Sequence, residues 1–227
     1  MFQGKKLICF DLDGTLIDSV GIWNQVDATL IQQLSKIEVD LNTIQQQRDI
    51  QLKNFRQSPD PYLEYCGYLN EFYAFKLTKA EVKSRRYSIS RYFLDHIVQL
   101  KPQAHLLIDA LKQQGIKLAL TTTTSLYNIQ RYQDNNTLIN SKIDFKNDFS
   151  LILTRENVEN IKPHPEVYLT ALQHVRFKAE ECLIIEDSLI GVEAAKQAGI
   201  DVIAIYDQYS AHELEAIKAQ ANYFVQD

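Results

Sequence analysis

Two aspartates, Asp11 and Asp13, stand two residues apart at the end of a continuous apolar run, Leu7 to Phe10. Gly14 and Thr15 follow directly. A run of that length without alternation fits a strand buried on both faces. Its tip is a costly place for two carboxylates unless a cation or a reaction uses them. The plain alternative is a strand closed by an Asp-Gly turn. The chemistry such a pair suits is metal-assisted: one carboxylate attacks and the other moves protons.

Reactive residue types recur at later strand ends. Residues 121–125, four threonines and Ser125, follow a short apolar run at 117–120. Glu186, Asp187 and Ser188 follow another at 182–185, and Lys162 precedes Pro163. Ligands of an open parallel sheet bind beyond the carboxyl ends of its strands, and right-handed crossovers bring those ends to one edge. A phosphate ester suits this set. A carboxylate such as Asp11 attacks phosphorus only when both negative charges are offset, which Mg²⁺ on hard oxygen ligands does. Asp11, the main-chain carbonyl of Asp13, and Asp187 are candidate ligands. Lys162 is a point charge for the phosphate oxygens, and the Thr122 hydroxyl a donor to them. Asp13 is the candidate that protonates the leaving oxygen and then deprotonates the hydrolytic water. The plainer readings are an N-cap for Asp187-Ser188, strand filler for the threonines and a surface site for Lys162. Glu186 is either a metal ligand or a group behind the ligands.

Asp11-Leu12-Asp13-Gly14-Thr15, the Thr-rich strand end, Lys162-Pro163-His164-Pro165-Glu166 and Ile185-Glu186-Asp187-Ser188 resemble the four motifs of the haloacid dehalogenase superfamily, in that family's order. A helical stretch after the first strand resembles its α-helical cap, as in the β-phosphoglucomutase and sugar-phosphatase branch. The resemblance implies a Rossmann-like core, Mg²⁺ dependence and an aspartyl-phosphate intermediate. It places the nucleophile on Asp11, the acid/base on Asp13, the phosphate contacts on Thr122 and Lys162, and the metal on Asp11, Asp13 and Asp187. Dehalogenases of this family lack the second aspartate. Phosphonatases resemble them there and use a cap lysine as a Schiff base. Asp13 therefore favours a phosphate ester, and Lys53 reads as a surface lysine. The mutase branch usually has a His in the first cap helix. The comparable place here carries Ile22-Trp23, closer to the Asp-Ser-x-x-x-Trp pattern of some sugar phosphatases. The expectation is a Mg²⁺-dependent phosphomonoester hydrolase for a small phosphorylated metabolite, a sugar phosphate foremost. The alternatives are a phosphomutase and a catalytically silent binding protein of the same fold.

The elements that must position these residues follow from periodicity. Residues 18–96 lack strong strand runs and show helical stripes, with Asp18-Ser19 as an N-cap signal and Thr78 with Glu81 as a capping box. About four helices are expected there. The second half alternates strand and helix in the βαβ manner, with a polar loop region over 134–148 that holds a short apolar piece around Ile143-Phe145. The expected class is α/β, a three-layer α/β/α core at 1–17 and 97–227 with an all-helical cap domain at 18–96. Trp23 and the stripe Tyr62, Tyr65, Leu69, Phe72 and Tyr73 read as cap core. Arg48, Lys53 and Arg56 read as a solvated helix face.

The chain of 227 residues is 45% hydrophobic and 23% charged, enough for a full core plus an inserted module. A net charge of −5 argues against nucleic-acid and anionic-membrane partners. Three widely spaced cysteines, Cys9, Cys66 and Cys182, read as reduced thiols and a cytoplasmic protein. No apolar run is long enough to span a bilayer. The oligomeric state is expected to be monomer or dimer.

Overall fold

The computed structural model describes residues 2–55 and 57–226. Six parallel strands form one sheet in the order β3-β2-β1-β4-β5-β6. They are β1 (Leu7–Phe10), β2 (Lys117–Thr121), β3 (Leu151–Leu153), β4 (Cys182–Glu186), β5 (Asp201–Ile205) and β6 (Tyr223–Val225). Every residue of β1 and β4 is buried, as strands covered on both faces require. This is the Rossmann-like parallel core that the strand–helix alternation implied. The order sets β1 between β2 and β4, so the three chemistry-bearing strand ends are immediate neighbours.

Two compact units make up the chain: Met1–Val20 with Val98–Asp227, and Gly21–Ile97. The second is all helix, with α1 (Ile22–Ser35), α2 (Leu41–Asn54), α3 (Pro61–Phe72) and α4 (Lys79–His96). The Thr78 hydroxyl accepts the Glu81 N–H at 3.2 Å while the Glu81 carboxylate accepts the Thr78 N–H at 2.8 Å, the capping box that the sequence announces. Asp18 and Ser19 do not cap α1. Its N-cap is Gly21, which makes no side-chain cap bond. Leu30, Ile44, Tyr65, Leu69 and Val82 close the interior of this unit. Tyr62 and Phe72 of the expected core stripe are exposed, because the stripe is wider than the face α3 buries.

The solvated face expected around Arg48 is not what forms. Arg48 is buried, Lys53 is exposed, and Arg56 lies outside the described residues. The reason is Asp27 on α1, which is fully buried. It accepts Arg86 Nε at 2.5 Å and the Tyr65 hydroxyl at 3.0 Å, and Arg48 lies 3.5 Å away. The Arg86 guanidinium also sits 4.6 Å from the centre of the Trp23 ring, an arrangement that attracts a cation to the aromatic face. Removing the acid from such a cluster leaves buried cations unpaired. Asp27→Leu is therefore expected to lower the unfolding free energy by about 3–5 kcal/mol, read by urea denaturation. An unchanged midpoint would show that the arginines carry no buried charge.

The sheet's own helices are α5 (Ala104–Gln113), α6 (Leu126–Asn135), α7 (Thr137–Asn140), α8 (Phe145–Asp148), α9 (Glu166–Val175), α10 (Leu189–Gln197) and α11 (Leu214–Gln220). Leu7 and Cys9 face Tyr168 and Ala171 of α9, Val192 and Ala195 of α10 and Ile217 of α11. Ile8 and Phe10 alternate to the opposite face. The stretch 134–148 is not the loop expected from its polarity. It holds the short α7 and α8, each begun by a side-chain cap, Asn136 and Asp144. Ile139 of α7, Phe145 of α8 and Ile143 between them are buried. Among the described residues no helix is long and apolar enough to cross a membrane.

Candidate active site

Asp11 continues the line of β1, its N–H bonded to Ile185 O at 3.0 Å. It is buried, as are Lys162, Glu186 and Asp187. Lys162 Nζ donates to Asp11 Oδ1 at 2.6 Å, to Glu186 Oε1 at 2.6 Å and to Thr121 O at 2.9 Å. The lysine thus joins the ends of β1, β2 and β4. Asp187 Oδ1 accepts the Thr15 hydroxyl at 2.7 Å. The turn between those partners needs Gly14. Its φ is +86°, and a Cβ there would overlap the Asp187 carboxylate. Asp11, Glu186 and Asp187 each offer an oxygen, and these atoms lie within 4.8 Å of one another.

Asp13 is held apart from this trio. Its Oδ1 accepts the Ser19 hydroxyl at 2.5 Å and its Oδ2 accepts the Thr124 hydroxyl. Thr122 is buried and its Oγ1 accepts the Thr124 N–H at 3.0 Å, which leaves its own proton to donate. Among the described residues no side-chain hydrogen bond joins Thr122 to Asp11 or Lys162; its partner is the Thr124 N–H. The Thr121 hydroxyl points the other way, to Phe10 O at 3.2 Å. Thr15, Ser19, Thr124 and Tyr168 complete the surroundings; Thr124 lies in the run that the sequence marks at 121–125, but none of the four has a role in the site assigned from sequence. Thr15 had a signal, since it belongs to the same five-residue string as the aspartates.

The electrostatics are those of an acidic pocket with one lysine. Burial raises Asp11 to about 7, against the pull of Lys162 and with the push of Glu186 and Asp13. Burial, Glu186 and Asp11 hold Asp187 well above the usual carboxylate range. Burial alone would lower Lys162, but Asp11 and Glu186 carry it well above its ordinary value. Surplus carboxylates that resist ionisation, presenting hard oxygens at one point, fit a small divalent cation such as Mg²⁺. The sign of the pH effect follows. The folded Asp11 value lies above its ordinary 3.8, so the folded state binds the extra proton between these values. The stabilising contribution is present at low pH and is lost as pH rises through about 7. The metal-free protein is expected to melt at lower temperature at about pH 8 than at about pH 5.5, and Mg²⁺ to flatten that difference. A metal-free melting temperature that rises with pH over this range would reverse the sign.

Comparison with known proteins follows the same lines. The haloacid dehalogenase-like hydrolase profile matches residues 8–205. The chain is 31% identical over 208 residues to the bifunctional riboflavin kinase/FMN phosphatase of Arabidopsis thaliana, covering 88% of this chain and 49% of that protein. It thus spans about half of that relative's length. It is 26% identical over 200 residues to the phosphorylated carbohydrates phosphatase of Thermotoga maritima, covering 87% of this chain and 83% of that one. Its fold is similar to the crystal structure of a point mutant of CbbY from Rhodobacter sphaeroides in complex with xylulose-(1,5)bisphosphate. The TM-score is 0.71 at 23% identity, over 97% of this chain and 93% of that one. With the profile running from β1 to the end of β5, across every strand end described above, the chain belongs to the haloacid dehalogenase-like hydrolases.

Proposed function

We propose that the protein is a Mg²⁺-dependent phosphomonoester hydrolase for a small phosphorylated metabolite, a sugar phosphate foremost. The observation that carries this is the contact of Lys162 Nζ with Asp11 Oδ1 beside the Asp187 carboxylate. A carboxylate held by a cation at a strand end is an activated nucleophile next to a charge that can hold an anion. Asp11, Asp187 and the main-chain carbonyl of Asp13 would hold the metal. Bound there, Mg²⁺ offsets the charge of the phosphate and of Asp11.

The steps belong to the chain's own groups. A carboxylate oxygen of Asp11 attacks phosphorus, and the bond from phosphorus to the ester oxygen breaks. Asp13 gives that oxygen its proton. Thr122 donates to the phosphoryl oxygens, and the Lys162 charge held on Asp11 stabilises them as their own charge builds. Asp13, now ionised, takes a proton from a water that attacks the aspartyl-phosphate, and phosphate leaves with Asp11 restored. Ser19 and Thr124 aim the Asp13 carboxylate for both transfers. Asp13 is bonded to Ser19 and Thr124 and Asp11 to Lys162, and these separate partners suit the division of labour, because the acid must meet the leaving group rather than the nucleophile. The helical unit is read as the family's cap, and the relatives named for phosphatase activity support the reaction class.

The test is inorganic phosphate release from a panel of phosphorylated metabolites with and without Mg²⁺. Metal-dependent release from sugar phosphates is the expected outcome. No release from any member, p-nitrophenyl phosphate included, would overturn the proposal. An isomeric phosphate ester in place of free phosphate would assign transfer instead.

A further inference from the structure

Glu186 ends β4 with its carboxylate fully enclosed. Oε1 accepts Lys162 Nζ at 2.6 Å and the Tyr168 hydroxyl at 3.2 Å. Oε2 accepts the N–H groups of Asp187 at 3.0 Å and Ser188 at 3.2 Å, and the Ser188 hydroxyl at 3.0 Å. Five donors therefore meet a group with about four lone-pair positions. The backbone of α10 closes the remaining side, since a Cβ on Gly191 would overlap this carboxylate. A metal ligand must present a lone pair, and Glu186 has none to give without shedding a partner. Asp187 differs: a single hydroxyl, that of Thr15, is bonded to its Oδ1.

The lysine is equally committed. Its three ammonium protons go to Asp11, Glu186 and the Thr121 carbonyl. The ring of Tyr168, buried on α9, has its centre 5.2 Å from Nζ. Tyr168 thus touches the lysine by its ring and the lysine's counter-ion by its hydroxyl.

We propose that Glu186, despite its place in the acidic trio, binds no metal and acts with Tyr168 as a positioning pair that fixes the Lys162 ammonium on Asp11. The proposal rests on the phosphatase reading only for its kinetic consequence. Two carboxylates of the trio, Asp11 and Asp187, then remain for the ion.

Crystals of the full chain with Mn²⁺ test the first half by anomalous scattering. The expected peak is bonded to Asp11 and Asp187, with Glu186 still on Lys162, Tyr168 and the α10 N–H groups. A bond from Mn²⁺ to Glu186 overturns the proposal, whether or not the protein proves to be a phosphatase. Tyr168→Phe tests the second half, since it keeps the ring and removes only the hydroxyl. It is expected to lower kcat and kcat/KM alike by about tenfold with KM unchanged, because Lys162 acts on charge that builds in the transition state. Mn²⁺ affinity, read by the spin-resonance signal of the free ion, is expected to stay at the wild-type value. Full kcat in Tyr168→Phe, or a parallel loss of Mn²⁺ affinity, overturns the proposal. Failure of the wild type to release phosphate counts against the phosphatase reading instead, and the Mn²⁺ crystals still decide the role of Glu186.

Discussion

Asp11→Asn is expected to lower kcat for phosphate release by about 10⁴-fold or more, as loss of a covalent nucleophile does. An amide oxygen in that place is a poor nucleophile, and no other carboxylate occupies the end of β1. Asp13 is bonded to Ser19 and Thr124, and Glu186 is enclosed by its five donors. Stability is expected to move the other way. The ionised Asp11 carboxylate is disfavoured by its burial, with a value raised to about 7, so a neutral amide relieves the metal-free protein above that pH. The metal-free variant should melt above the wild type at about pH 8 and lose most of that advantage at about pH 5.5. A group that costs stability and carries the reaction is the usual trade at such sites. Turnover in Asp11→Asn at a tenth of the wild-type rate would reject Asp11 as the nucleophile.

Lys162→Met carries the second large effect, and on both properties. Methionine fits a stem-length cavity but leaves Asp11, Glu186 and the Thr121 carbonyl without their shared donor. Breaking a buried pair from one side costs about 3–5 kcal/mol, because the remaining charge is neither solvated nor compensated. Urea denaturation near neutral pH is expected to show a loss of that size. The loss should shrink at acid pH, where the stranded Asp11 carboxylate takes a proton. The kcat is expected to fall by about 10²–10³-fold with the charge that met the phosphoryl oxygens gone. Equal stability of Lys162→Met and wild type at neutral pH would mean that the Lys162 ammonium does not compensate a buried charge there, which would sink its role as the counter-ion of the pocket.

Much of the core was legible because one-dimensional pattern and three-dimensional demand coincide there. Leu7 to Phe10 reads as a doubly covered strand and is one, and the parallel order follows from the alternation behind it. The residues at the strand ends were legible by type and place. Their partners were less so. Asp18 and Ser19 carry a helix-start signal, yet Ser19 spends its hydroxyl on Asp13. A short polar side chain caps whichever acceptor or donor the fold brings, and the sequence does not say which. Arg48 reads as surface because its counter-charge, Asp27, is on another helix. Nothing in the sequence marks Tyr168; its hydroxyl meets Glu186 only because α9 packs beside β4. Residues 134–148 read as loop because their helices are too short to show a period, each a single turn begun by its own cap.

The pairing of β1 has a bearing on biosynthesis. Its neighbours are Lys117–Leu120 on one side and Cys182–Ile185 on the other, far downstream of Leu7–Phe10. Closing such wide separations is slow, whereas the helices of Gly21–Ile97 need only local partners. On the ribosome the inserted helices can therefore be settled while the acid-bearing tip of β1 still waits for both flanks. A nascent chain that stops before residue 187 holds neither Asp187 nor the α10 backbone that shields Glu186. The reactive centre thus cannot assemble until β4 and α10 have been made, and fragments released before them lack it.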